Sequence, residues 1–361
     1  MKTASYEHYV FGIGPRSCDF ASLAKYPQSR KSQAGEIETL IKQVSPDFTL
    51  SSITWATARR PVAIVRGTTN EKYVVKYRPP EQDMTEYGIA YETKILKMIS
   101  SARESNSSSS IPYPITPTPL LETESCYLYS YIPAEPYCSA SLRDCAEHDE
   151  IDRLIGQSLA AVHGIASNSQ NTPQPELIAS FPIPEYPLLS VDDYYRGIGV
   201  EYPILLSTFQ RCEQRVAEMR EGWHAKDLIH YDLRNQNLLI SDLGTVGIID
   251  WEVSGIGNGL YDLGMICYER IRSEFEALHN NTRLRPWRIS VLNTLKGYCG
   301  VKGCCLDDLV VETLRYAVVA TLVRISEKLR IIGRLDRIDT LILSSTDRLL
   351  DNPSSFYGPK Q

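Results

Sequence analysis

No stretch of this 361-residue chain is apolar enough to cross a bilayer. The nearest approach, over 310–332, is interrupted by Glu312, Arg315, Arg324, Glu327, Lys328 and Arg330. A membrane span excludes charge at that density, so the segment reads as an amphipathic or buried helix and no membrane partner is expected. The opening residues lack the apolar core behind a basic stretch that marks a secretory signal. Basic charge is also scarce: 38 Lys and Arg stand against 44 Asp and Glu, a net charge of −6, without the basic stripe that a nucleic-acid binder carries. A mildly acidic protein can still build a basic phosphate pocket, or hold a cationic substrate on carboxylates. Paired CxxC spacing is missing from the nine cysteines, and Cys299, Cys304 and Cys305 have no nearby fourth ligand, so they read as buried or incidental thiols rather than a zinc site. An odd number of thiols without a secretion signal points to reduced cysteines and a cytoplasmic location. Internal repeats are absent as well.

What is present is a globular composition, 43% hydrophobic and 23% charged, which sets aside wholesale disorder, collagen and coiled-coil arrays. The length suits about two domains or one large two-lobed domain. Residues 1–35 are polar and weakly periodic, and a short helix is predicted over 36–44. The pattern then turns to β: SSITWAT at 51–57, PVAIVRG at 61–67 and KYVVKYR at 72–78, the last two separated by Gly67-Thr68-Thr69-Asn70, predict a small antiparallel sheet with a hairpin. A helix is predicted over 85–99 from Ile89, Ile95, Leu96 and Ile99. Glu92 falls on the same face as these residues. A carboxylate turned inward is costly alone, so it either faces a buried cation or sits at the edge of the stripe and reaches solvent.

The Ser/Pro-rich insert 101–119 predicts an extended, mobile connector. After it, CYLYSYI at 126–132 alternates as a strand, and the chain becomes mainly helical. Ile151, Leu154, Ile155, Leu159, Val162 and Ile165 mark one amphipathic helix, and others are predicted over 201–221, 258–278, 286–298 and 307–332. The organisation expected is an N-terminal extension (1–35), a β-rich lobe (36–132), a larger helical lobe (133–345) and a tail (346–361).

The densest polar cluster runs His230-Tyr231-Asp232-Leu233-Arg234-Asn235-Gln236-Asn237, followed by the apolar Leu238-Leu239-Ile240. After a turn comes a second strand that ends in Ile249-Asp250-Trp251-Glu252. A loop, a strand, a tight turn and a second strand bring the oxygens of Asp232, Asn237 and Asp250 to one end of a hairpin. Two carboxylates and an amide form a hard oxygen site suited to Mg²⁺ that keeps waters and phosphate oxygens in its shell. Asp and Asn also cap turns, and each alone supports that reading equally well; the whole pattern does not.

H-x-D-x-x-x-x-N followed by I-D-W-E resembles the aminoglycoside phosphotransferase and choline kinase branch of the protein-kinase-like superfamily. Gly259-Leu260-Tyr261-Asp262-Leu263-Gly264 is similar to that family's G-x-x-x-D-L-A segment, with Gly264 in place of Ala. The resemblance is strong over 228–264 and extends by element order over about 50–330. It implies an α+β, two-lobed kinase-like fold, with a small antiparallel-sheet N-lobe carrying one key helix and a larger, mainly helical C-lobe. The activity it implies is transfer of the ATP γ-phosphate to a hydroxyl of a small molecule, with Mg²⁺ as cofactor. Asp232 would be the catalytic base, Asn237 and Asp250 the metal ligands, and His230 and Asp262 braces of the catalytic loop.

The lysine that reaches the α- and β-phosphates should lie on the third strand and pair with a glutamate on the next helix. Lys76 and Glu92 fit; Lys72 competes but adjoins the turn and should be exposed. Adenine is expected along Ser130, Tyr131 and Ile132. Ala58-Arg59-Arg60-Pro61 departs from the family by lacking the glycines that let amides approach phosphates, leaving Arg59 or Arg60 to supply side-chain charge instead. Aminoglycosides, macrolides, choline and other amino-alcohols are acceptors in this family; Asp192, Asp193, Glu201 and Glu213 are candidate contacts for an amine, or solvated surface. A Ser/Thr peptide kinase of natural-product maturation and a non-catalytic nucleotide-binding protein are the competing readings.

Overall fold

The computed structural model describes residues 30–56, 62–77, 89–106, 111–137, 145–168, 179, 182, 203–281, 285–332 and 334–351. A helix, α1 (Arg30–Lys42), precedes three strands, β1 (Leu50–Ala56), β2 (Val62–Gly67) and β3 (Lys72–Tyr77). Helix α2 (Ile89–Ser105), β4 (Pro119–Glu122) and β5 (Cys126–Ser130) complete the smaller lobe. Its sheet is antiparallel throughout, in the order β1-β2-β3-β5-β4.

Successive strand residues point to opposite faces, and β5 uses both. Cys126 and Leu128 join Ile37, Ile41, Phe48, Ala63, Val65 and Val75 in a small core under α1. Tyr127 and Tyr129 turn the other way, onto Tyr91, Ile95, Leu96 and Ile99 of α2, and so enter the main core of the protein. The helix predicted over 36–44 therefore begins earlier, inside the presumed N-terminal extension.

The Ser/Pro-rich insert is not a featureless connector. Its first residues continue α2, where Ser105 Oγ donates back to Ser101 O at 2.8 Å and Asn106 Nδ2 to Ala102 O at 2.8 Å. Ile115 then forms a parallel bridge with Gly247 of the other lobe. Pro119 opens β4, which is an edge strand, where a missing N–H is tolerated. Residues 107–110 lie outside the described residues; over 111–119, backbone pairing that composition does not report joins the chain to both lobes.

Beyond Ser130 the chain crosses to the larger lobe through β6 (Glu135–Pro136) and α3 (Cys145–Asn168), then α4 (Pro203–Glu221). A β7–β10 ladder (Asp227–Ile229, Gly255–Gly257) and a β6-β8-β9 sheet (β8 Leu238–Ile240, β9 Val246–Ile248) carry the polar cluster. Helices α5 (Leu260–His279), α6 (Trp287–Lys302), α7 (Leu306–Ile332) and α8 (Arg337–Asp351) close the lobe. The architecture is the two-lobed α+β arrangement anticipated, with eight helices among the described residues.

Gly264 explains one departure from the family segment. A Cβ there would lie 2.5 Å from the backbone carbon of Tyr316, so α5 and α7 cross too closely for alanine. Helix α8 was not anticipated, and it runs through the expected start of the tail at 346. Its N-terminus is a reciprocal capping pair: Asp339 N donates to Asp336 Oδ1 (2.8 Å) and Asp336 N to Asp339 Oδ2 (2.9 Å). Among the described residues no helix is long and apolar enough to cross a membrane.

Candidate active site

β7 delivers the chain into a loop whose shape is held from every side. Tyr231 sits at φ 70°, a left-handed conformation that a non-glycine residue adopts only when its surroundings impose it. Asp262, fully buried at the start of α5, accepts the N–H of His230 at 2.7 Å and of Tyr231 at 2.9 Å. Behind it, His163 Nε2 lies 3.1 Å from Asp262 and His163 Nδ1 lies 3.0 Å from Tyr298 Oη, so α3 and α6 back the loop through one buried chain. His230 Nε2 is 2.8 Å from Ile249 O, and Asp232 N donates to His230 Nδ1 at 3.3 Å; the tautomer protonated on Nε2 satisfies both. Both His230 and Asp262 therefore contact backbone, in bracing positions.

Asn237 Nδ2 donates to Asp232 O at 2.9 Å, which leaves the Asn237 amide oxygen to serve another group. Ile249 N donates to Asn237 O at 3.0 Å, and so sets Asp250 beside it. Asp250 is itself left-handed, at φ 68°. One of its oxygens, Oδ1, accepts Lys76 Nζ at 2.9 Å. An amide oxygen and a second carboxylate oxygen at one edge are hard donors, a set that suits Mg²⁺ with phosphate oxygens and waters completing its shell.

Lys76 also reaches Glu92, at 2.8 and 2.9 Å to the two carboxylate oxygens. Glu92 is 1% exposed and accepts in addition the N–H of Trp251 (3.1 Å) and the hydroxyl of Tyr129 (3.4 Å). The inward-facing carboxylate thus has its cation, and the solvent-edge alternative is excluded. Burial alone would lower the Lys76 pKa, but the charges of Glu92, Asp250 and Glu252 outweigh it and hold the ammonium well above its ordinary range. Burial would likewise raise the Asp250 carboxyl, yet Lys76 draws it below its usual value. Lys72 is half-buried rather than exposed, with its ammonium 4.7 Å above the Tyr131 ring.

At the crossover between the lobes, where adenine was expected on backbone groups of Ser130, Tyr131 or Ile132, Ser130 N donates to Thr118 O at 2.9 Å and the Ile132 carbonyl accepts Ala134 N at 2.9 Å. Arg59 and Arg60, and Asp192, Asp193 and Glu201, lie outside the described residues; Glu213 is exposed on α4. Cys299 and Cys304 bring their sulfurs to 3.2 Å, and burial together with the Cys304 neighbour pushes the Cys299 thiol up to about 12. No cluster of three or more metal-ligating side chains occurs among the described residues.

Sequence reasoning missed the groups that reach the loop from distant helices. Arg270 of α5 pairs with Asn235, donates to Ser290 Oγ at 3.0 Å and stacks 3.6 Å from the Tyr137 ring centroid. Arg324 of α7 and Arg234 of the loop flank Asp232, at 3.3 Å from Oδ1 and 2.6 Å from Oδ2. Arg324 was visible only as one of the charges that break the apolar run over 310–332.

A small sheet whose lysine is clamped to its helix, set over a helical lobe with a braced H-x-D-x-x-x-x-N loop, defines a two-lobed kinase-like phosphotransferase. The sequence profile of the phosphotransferase enzyme family matches residues 57–292, and the chain belongs to that family. Similar solved structures include the aminoglycoside phosphotransferase APH(4)-Ia, with 13% identity, TM-score 0.57 and coverage of 88% of this chain and 98% of that one. The amicoumacin kinase hAmiN, in complex with AMP-PNP, Ca²⁺ and Ami, has 13% identity, TM-score 0.55 and coverage of 89% and 96%. Macrolide 2'-phosphotransferase MphH from Brachybacterium faecium has 14% identity, TM-score 0.52 and coverage of 91% and 99%. At these identities the likeness is one of fold. No curated protein matches the chain. Family and fold together support ATP-dependent phosphoryl transfer to the hydroxyl of a small molecule.

Proposed function

We propose that Asp232 orients and deprotonates the acceptor hydroxyl, that Lys76 holds the ATP phosphates, and that Asn237 and Asp250 bind Mg²⁺. The observation that carries the assignment is Lys76 bridging Glu92 and Asp250, because it joins the phosphate-binding strand, the key helix and the metal-binding hairpin in one contact set. A silent nucleotide-binding protein could keep Lys76 for the phosphates, and transfer to an acceptor is what separates it from the enzyme.

In transfer, the acceptor oxygen forms a bond to the γ-phosphorus as the bond from that phosphorus to the β–γ bridging oxygen breaks; the proton passes to an Asp232 carboxylate oxygen and ADP departs. Mg²⁺, when bound, neutralises phosphate charge. Lys76, fixed by Glu92, places positive charge at the α- and β-phosphates without reorganising. Arg234, beside Asp232, supplies charge on the acceptor side. Asp262 and His230 keep Asp232 in one orientation, and positioning is the larger part of catalysis for this chemistry. Tyr131 and Ile132 are the candidates to meet adenine.

The test is ATP turnover with a panel of small alcohols and, separately, Ser/Thr peptides. Magnesium-dependent transfer to a free alcohol supports the proposal. Transfer to peptides alone, or no Mg·ATP binding, would refute it.

A further inference from the structure

Helix α7 carries into the site a cation that the motifs do not account for. Nη1 of Arg324 meets Asp232 Oδ1 at 3.3 Å and also pairs with Glu327 one turn on, while Arg234 holds the other oxygen of Asp232. Burial would lower the Arg324 pKa, but Asp232 and Glu327 hold it above its ordinary value, so the guanidinium is a fixed charge at any working pH. Both of its ion pairs use Nη1; Nε and Nη2 make no hydrogen bond or ion pair among the described residues, although Tyr268 and Glu269 also bear on the guanidinium, and 19% of the side chain as a whole is open to solvent. A guanidinium edge is a two-donor fork matched to a carboxylate or phosphate.

Among the described residues, the same wall gives an amine little to bind. Glu327 is taken by Arg324, and Glu269 accepts Asn235 N at 3.3 Å while burial raises its carboxyl above the ordinary value. Lys328 of α7 pairs with Asp336 and Asp339, so those carboxylates are engaged too.

We propose, resting on Asp232 as the base, that the acceptor carries an oxyanion that docks on the Nε–Nη2 edge of Arg324. Its hydroxyl then falls on Asp232 beside that fork. The substrate class is a short hydroxy acid or a phosphorylated alcohol, not a polyamine.

The test is a ligand-observed NMR titration of the full chain loaded with Mg·AMP-PNP. The probes are 4-hydroxybutyrate, the monophosphate of 1,4-butanediol and 4-amino-1-butanol, which separate carboxylate, phosphate and amine on one chain length. At least one oxyanion should bind roughly tenfold or more tightly than the amine, and Arg324→Gln should remove roughly ten- to a hundredfold of that affinity. Arg324→Lys, which keeps the charge and loses the fork, should fall between and guards against a folding defect in the first variant. Glu327→Gln, which removes a competing anion, should strengthen oxyanion binding. Equal or tighter binding of the amine, no oxyanion binding, or an equal loss for all three probes in Arg324→Gln would overturn the proposal. If AMP-PNP itself does not bind, the kinase reading falls, and this one with it.

Discussion

Replacing Lys76 by methionine keeps the length of the side chain and removes its charge. Glu92 would then lose both of its bonds to Nζ, 2.8 and 2.9 Å, while staying at 1% exposure. Breaking a buried ion pair on one side costs about 3–5 kcal/mol. The lower end applies here, because Trp251 N–H and the Tyr129 hydroxyl still serve the carboxylate. A loss of about 3 kcal/mol should lower the melting temperature by about 4 °C in a chain of this size. Lys76→Met combined with Glu92→Gln removes the stranded charge, so the double variant should be more stable than the sum of the single losses predicts, by about 1–3 kcal/mol. Urea unfolding of the four proteins measures this cycle, and AMP-PNP titration should show weakened binding in every variant lacking Lys76. Strict additivity, or an unchanged melting temperature in Lys76→Met, would refute the buried pair as the link between strand and helix.

Asp250→Ala should abolish Mg²⁺-dependent ATP use while circular dichroism remains native, since Lys76 keeps Glu92 as a partner; turnover by the folded variant would remove Asp250 from the metal site. Asp232→Asn should cut transfer by ~10²–10⁴-fold and leave nucleotide affinity nearly intact, as single-turnover assays beside an ATP titration will show; loss of ATP binding alone would instead make Asp232 a metal ligand. Gly264→Ala restores the family's residue yet should destabilise by about 1–3 kcal/mol, because the added methyl meets the Tyr316 backbone; a neutral melt would contradict the close crossing. Burial would raise the Asp336 carboxyl, but Lys328 holds it below its ordinary 3.8. Its contribution at the start of α8 is therefore fully present above pH ~3.8 and lost as pH falls through the folded-state value, and Asp336→Asn should flatten that part of the stability profile.

The hairpin chemistry was legible because it is contiguous: His230 to Asp250 is one loop and two strands, and spacing alone brings their ends together. Lys76 and Glu92 were legible for a different reason, since a carboxylate on an apolar stripe demands a cation and strand order offers few. Long-range braces left no such trace. His163, Tyr298 and Arg270 belong to three different helices, and nothing in the local periodicity of any one of them announces a shared target. Composition misled at the Ser/Pro-rich insert, where backbone bonds from Ile115 decide the structure. The Asp336-x-x-Asp339 cap of α8 was a readable signal that went unread, and the Ser130 amide could be placed only by knowing which neighbour β5 faces.

Ile115 stands on the small-lobe side of the crossover, yet its N–H donates to Val246 O and its carbonyl accepts Ile248 N, both at 2.9 Å. A Cβ on Gly247 would lie 3.5 Å from that carbonyl and 3.6 Å from the Ile132 side chain, so the bridge runs directly alongside the covalent connection between the lobes. Two adjacent tethers permit a jaw to open about the line joining them and resist any shear or twist across it. Any opening of one lobe from the other is then expected to pivot near Ile115 and Ile132, and the two backbone bonds that set this hinge lie in a stretch whose Ser/Pro composition gives no sign of them.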